Sequence, residues 1–155
     1  MIEIKPVQVM DYEKVKNLQV SDAQLQYVGT AEELLPLLNQ SVTAHGIYSG
    51  AEMVGVFLLD TGYDEDYPFA DAGAIGVRGF LVDQSQQGRG IGTRTVLELS
   101  DYIKLNFPKA GSVFLTVNCK NPAAKKCYEN GGFLDTQEHY HGGSAGPQHI
   151  MKLAL

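Results

Sequence analysis

Val82-Asp83-Gln84-Ser85-Gln86-Gln87-Gly88-Arg89-Gly90-Ile91-Gly92-Thr93 lies between two different hydrophobic periods, and its reading decides the fold. Before it, Ala74 to Asp83 reads as a long strand; after it, from Gly88 to about Phe107, Ile91, Val96, Leu99 and Ile103 recur at helical spacing. The segment is therefore a strand-to-helix turn. Small residues at Gly88, Gly90 and Gly92 let the backbone approach a ligand closely. The free N–H groups of the helix's first turn, with the positive end of its dipole, then form an anion site, for which a pyrophosphate is the expected guest.

Two familiar glycine loops do not fit. A dinucleotide loop needs a third glycine where Thr95 stands, and an acidic residue about 20 positions on is not clearly placed. A P-loop needs Gly-Lys-Ser/Thr, and no Lys follows these glycines.

Outward from the turn, Ile2 to Pro6 reads as a strand and Asp11 to about Leu18 as a helix. Thr30-Ala31-Glu32-Glu33 is a capping box opening a short helix through Leu38, shortened or kinked by Pro36. His45 to Ser49 and Met53 to Asp60 form a hairpin, and Thr61 to Asp71 is a polar loop. Downstream come a strand at Val113 to Val117, a helix at Pro122 to Glu129 ending at Asn130-Gly131-Gly132, and strands at Phe133 to Glu138 and His149 to Leu153. The order βααβββαβαββ implies a mixed sheet with helices on both faces. No repeat or low-complexity linker divides residues 1–155, so one domain is expected.

At 155 residues and 44% hydrophobic, the chain can form a core without a metal or disulfide. A formal charge of −6 argues against a nucleic-acid partner and suits a cationic substrate. The start lacks an apolar leader region and no stretch approaches a membrane span, so a cytoplasmic protein with no membrane partner is expected. Cys119 and Cys127 form no zinc or redox motif, and His139 and His141 stand without a nearby ligand cysteine, so no metal set is expected.

Gln87-x-x-Gly90-x-Gly92, followed by Asn121-Pro122-Ala123-Ala124-Lys125-Lys126-Cys127-Tyr128 and Gly132-Phe133, resembles the GCN5-related N-acetyltransferase (GNAT) family. The resemblance runs from about Met53 to the C-terminus. It implies an α/β (α+β) GNAT fold with a mixed, mostly antiparallel six- to seven-stranded sheet, splayed at the cofactor strand. It also implies acetyl-CoA as cosubstrate, no metal, and in many members a homodimer.

Carried onto this chain, the resemblance places the pyrophosphate on Gln87, Gly88, Arg89, Gly90, Ile91, Gly92 and Thr93, with Arg89 adding charge at the rim. Main-chain groups of Phe80, Leu81 and Val82 would meet the pantetheine arm, and Asn121 would contact the cofactor or cap its helix. Tyr128 would be the general acid that protonates the departing thiolate. The glutamate that several members carry as general base, on the strand before the glycine loop, is missing between Asp71 and Asp83. A water chain, Asp60, Glu138, His139 or His141 would have to serve instead.

Tyr63-Asp64-Glu65-Asp66-Tyr67 mixes carboxylates with rings, which suits a polycation. That layout and Arg78-Gly79-Phe80 are similar to bacterial spermine/spermidine acetyltransferases, so the expected acceptor is a small primary amine with a polyamine favoured. The alternatives are a protein or peptide amine, an antibiotic amine, or an acyl-CoA-binding regulatory module without catalysis.

Overall fold

Strands in the computed structural model, which describes residues 1–155, occupy Ile2–Pro6 (β1), Val42–Ser49 (β2), Glu52–Asp60 (β3), Ile75–Val82 (β4), Ser112–Asn118 (β5), Leu134–Tyr140 (β6) and Gln148–Ala154 (β7). Helices occupy Tyr12–Lys16 (α1), Asp22–Val28 (α2), Tyr63–Asp66 (α3), Ile91–Asn106 (α4) and Pro122–Asn130 (α5). The strands form one sheet in the order β1-β2-β3-β4-β5-β7-β6. All neighbours are antiparallel except β4 and β5.

The apolar run in β3 serves two layers because adjacent side chains point to opposite faces. Phe57 and Leu59 pack with Val96, Leu99 and Ile103 of α4 and with Leu115 and Val117 of β5. Val56 and Leu58 pack on the other face with Val15, Leu18, Ala31 and Leu34. Burying each such side chain contributes about 1.5–3 kcal/mol, so both faces hold helices in place. The mostly antiparallel, two-faced sheet expected from the sequence is the one observed.

Where β4 meets β5 the sheet opens. These strands pair only at Ile75↔Val113 and Gly76↔Phe114, whereas β5 pairs with β7 along its whole length. The cause lies in β4. Opposite β3, Val56 pairs with Leu81 but Leu58 with Arg78, so β4 carries an extra residue at Gly79-Phe80. Such a bulge bends its strand and increases the local twist. Gly79 has φ +59°, and a Cβ there would lie 2.6 Å from Leu34 Cδ2, so the bend needs glycine.

The N-terminal third departs most from expectation. The Glu33 N–H does donate to Thr30 Oγ1 at 3.3 Å, but the turn it opens is a 3₁₀ helix, Glu32–Leu37, with Pro36 inside it. The regular second helix is α2, which the sequence reading left unassigned. The expected helix from Asp11 is only α1, after a 3₁₀ turn at Val9–Asp11. The expected loop after Asp60 contains the single turn α3, ordered by the buried Tyr63.

His45 of β2 is 4% exposed and lies between Thr43 Oγ1 at 2.8 Å and the Tyr102 hydroxyl at 2.6 Å. Burial lowers its pKa to about 4, so the ring stays neutral. No helix is long and apolar enough to cross a membrane.

Candidate active site

The glycine turn is fixed at its entry by Asp83. One carboxylate oxygen accepts the Gln19 N–H at 2.7 Å, and the other accepts the Ser85 N–H at 3.1 Å and the Ser85 hydroxyl. Burial works against the charge, but bonds from Ser85 and Gln19 outweigh it and hold the carboxyl below its usual range. After a 3₁₀ turn at Gln84–Gln86, Gly88 and Gly90 adopt φ +81° and +73°. A Cβ on either would meet nothing within 4 Å; it would project into open space. At the start of α4, a 16-residue helix, the amides of Ile91, Gly92 and Thr93 have no carbonyl one turn upstream. The arrangement is a cradle of donors open to an anion.

Two clefts lie beside the splay. A narrow one of about 290 Å³ runs along Phe80, Leu81 and Val82 to Gln87, Gly88, Gly90, Ile91, Gly92 and Thr93. Past Gly76, β4 has no partner on its β5 side, so its main-chain groups face the slot. The donors and the strand edge fit a diphosphate joined to an amide-bearing arm. A wider cleft of about 530 Å³ opens on the far side, lined by Tyr63, Tyr67, Arg78, Thr116, Asn118, Tyr140 and Gln148 among others. Phe80, Ala124 and Tyr128 belong to both linings, and so form the wall between the clefts.

Tyr128 is held edge-on between Phe80 and Phe133, each ring centroid 5.8 Å away. It is half-buried. That burial, with Cys127 adjacent, raises the phenol's pKa and keeps its proton on at neutral pH. The group can donate a proton where the clefts meet. Cys127 lines the narrow cleft with its Sγ 3.7 Å from Thr93 Oγ1, and burial raises its pKa, so it stays a thiol.

Two of the expected site residues lie outside the narrow cleft's lining, Arg89 at the rim as expected and Asn121 elsewhere. Arg89 is exposed at the rim, outside the narrow cleft's lining, with Nη1 3.3 Å from Gln86 Oε1. Asn121 does not line the narrow cleft and makes no cap bond. Its buried amide exchanges two hydrogen bonds with Gln24 of α2, at 3.2 and 3.0 Å, and thereby ties α2 to the start of α5. Sequence reasoning missed α2 altogether: Gln24 and Val28 line both clefts, and Tyr27 the wider one. It also missed Arg94 in the first turn of α4, whose guanidinium bonds the Arg89 carbonyl at 2.7 Å.

None of the candidate bases lines the wider cleft. Asp60 is buried behind it, its Oδ2 3.2 Å from Arg78 Nη1. Glu138, His139 and His141 are exposed. The acidic run also stays outside the lining: only Tyr63 and Tyr67, stacked at 4.4 Å, face in, while Asp64 accepts the Gly73 N–H at 2.9 Å. The lining is therefore aromatic rings, hydroxyls and amides around one ion pair. A second departure concerns the histidines. Cys119, His139 and His149 converge, their nearest ligand atoms within 4.8 Å of one another, although the sequence suggested no such set.

Residues 9–133 match the model of the acetyltransferase (GNAT) family. No curated protein matches the chain in sequence. Among solved structures, the fold is similar to aminoglycoside acetyltransferase AAC(6')-Ib in complex with coenzyme A and kanamycin, at 22% identity. The match has a TM-score of 0.76 and covers 99% of this chain and 95% of that one. Spermidine N-acetyltransferase from Vibrio cholerae in complex with CoA and spermine is similar at 16% identity and TM-score 0.71, over 99% of this chain and 95% of that one.

Proposed function

The chain belongs to the acetyltransferase (GNAT) family, and we propose that it transfers the acetyl group of acetyl-CoA directly to a primary amine of a small molecule. The observation that carries this reading is the shared wall: one proton-bearing phenol, Tyr128, stands between a donor-lined slot and a separate polar cleft. Acetyl-CoA supplies an acyl carbon activated by its thioester. The first-turn amides of α4 and the turn at Gly88 to Gly90 hold its diphosphate. The free edge of β4 holds the pantetheine arm and delivers the thioester to the wall.

A neutral amine in the wide cleft attacks the carbonyl carbon and forms the C–N bond. The C–S bond then breaks, and Tyr128 gives its proton to the departing sulfur. With no carboxylate or imidazole lining the wide cleft, the ammonium proton leaves to water. Tyr128 is restored by the same solvent.

The acceptor is a hydroxyl-bearing amine of the aminoglycoside kind rather than a bare polyamine. Neutral hydroxyl and amide groups in the lining suit hydroxyls, and the carboxylates of Asp64, Glu65 and Asp66 that would draw a polycation lie outside it. Both structural relatives named above bind small amines, which supports the broader class.

The test is thiol release from acetyl-CoA across a panel of aminoglycosides, polyamines, amino-terminal peptides and lysine peptides. Tyr128→Phe lowers kcat about 100-fold or more while the acetyl-CoA KM stays within about twofold. An unchanged kcat would remove Tyr128 from the chemistry. CoA binding with no turnover on any amine would leave an acyl-CoA-binding module in its place.

A further inference from the structure

We propose that Cys119, His139 and His149 form a zinc(II) site where the C-terminal ends of β5 and β6 meet the start of β7. Register brings them together. Val117 pairs with His149 across β5 and β7, and His149 pairs with His139 across β7 and β6, so both imidazoles and Val117 project from one face. Cys119, two residues beyond Val117, is held against β7 by its N–H, which donates to the Pro147 carbonyl at 3.0 Å. The His139 and His149 ring centroids are 5.1 Å apart.

The donor set fits the metal. One thiolate and two neutral imidazoles are borderline-soft N/S ligands that suit a tetrahedral zinc ion with a fourth position left open. Tetrahedral donors would stand about 3.3–3.6 Å apart, so separations within 4.8 Å require small side-chain rotations and no backbone movement. A second observation points to the same place: His149 Nδ1 is buried and has no hydrogen-bond partner, the cost such a buried nitrogen avoids by binding a ligand.

Asp135 Oδ2 lies 3.8 Å from that nitrogen, too far for a hydrogen bond, which leaves Nδ1 free for the metal. Lys125 flanks the cluster, but its charge is offset by Asp135 at 2.9 Å. Binding releases the Cys119 thiol proton and leaves both imidazoles neutral.

The neighbouring register row faces the other way. Asn118, Gln148 and Tyr140 pair across the same three strands and line the wide cleft, and the Asn118 amide bonds the Ala145 carbonyl at 3.0 Å in the loop between β6 and β7. A metal joining the three strand ends would therefore hold that loop over the cleft. This consequence rests on the cleft being the acceptor site; metal binding itself does not.

Tag-free protein stripped with chelator is titrated with cobalt(II), then zinc(II), and followed by absorption. One cobalt ion per chain should give a thiolate charge-transfer band and the intense visible bands of four-coordinate cobalt, both removed by zinc. Cys119→Ser should abolish the charge-transfer band, and the exposed His139→Ala should keep it; each should weaken zinc binding at least about tenfold. A wild-type titration without the thiolate band, or equal zinc affinity in wild type and both variants, would overturn the site. With zinc bound, the acceptor KM should fall about threefold at an unchanged acetyl-CoA KM. An unchanged acceptor KM beside an intact cobalt spectrum would overturn the clamp alone. Absence of turnover beside that spectrum would count against the acetyltransferase reading and leave the metal site standing.

Discussion

The narrow cleft and the wide cleft share Phe80 and Tyr128, but they are made of different material. Along the narrow cleft most of the lining comes from β4, the glycine turn and the start of α4, a nearly continuous segment with free main-chain groups, and side chains of Val20, α2 and α5 close its flank. Around the wide cleft the lining groups are side chains drawn from α2, α3, β4, β5, α5, β6, β7 and the loop between the last two strands. Main-chain recognition depends on backbone shape, so it suits a cosubstrate common to many enzymes. Side-chain recognition changes with each substitution, so on the proposed reading the acceptor is chosen there.

If the division is real, changes on each side should alter one Michaelis constant and spare the other. The largest effect is expected at Gly90, which lines the narrow cleft with φ +73°, a conformation side chains rarely adopt. Gly90→Val raises the acetyl-CoA KM about 100-fold, from backbone strain of about 1–3 kcal/mol plus lost approach to the diphosphate, and leaves the acceptor KM unchanged. Steady-state kinetics with each substrate varied checks this. Equal loss in both constants would break the division.

A second effect concerns pH. With no carboxylate or imidazole lining the wide cleft, kcat/KM for the acceptor should rise about tenfold per pH unit until the amine's own pKa is passed. A profile that levels off near neutrality for every amine would reveal a base in the protein. The acid side is limited by folding, not by the site. His45 has its pKa depressed from 6.5 to about 4, so the unfolded chain binds more protons between those values. The stability this neutral ring contributes is complete above 6.5 and is lost progressively as pH falls toward 4, by about 3 kcal/mol. Urea unfolding across that range measures it, and His45→Gln, which cannot take up the proton, should flatten that part of the slope.

The smallest effect is expected at the junction. Gln24→Ala removes the pair of hydrogen bonds to Asn121 and loosens α2 where it borders both clefts. It raises the acceptor KM about threefold to tenfold and the acetyl-CoA KM less, because only the acceptor relies on side chains there. Activity assays with both substrates varied decide it.

The same division explains what the sequence revealed. The turn from Val82 to Thr93 is a local object: its glycines, the preceding β period and the following helical period lie in one stretch, so its shape and chemistry were readable together. Tyr128 was singled out by the resemblance of the Asn121 to Phe133 segment to the GNAT family. The wide cleft was hidden because α2 has no fully buried residue and only weak apolar periodicity; it is held by tertiary contacts such as Gln24 with Asn121. The acidic run lies outside the wide cleft's lining, a placement that composition alone does not give, because it does not say which way a loop faces. Cys119, His139 and His149 are far apart in the chain and meet only through the registers of β5, β7 and β6.

Calorimetric titration of CoA into wild type, Gly90→Val and Gln24→Ala tests the central claim most directly, that backbone donors at the splayed strand and the start of α4 hold the cosubstrate. Saturable binding to wild type, a loss of about 100-fold in Gly90→Val and little change in Gln24→Ala are the expected results. No heat with wild type, or equal affinity in wild type and Gly90→Val, would contradict it.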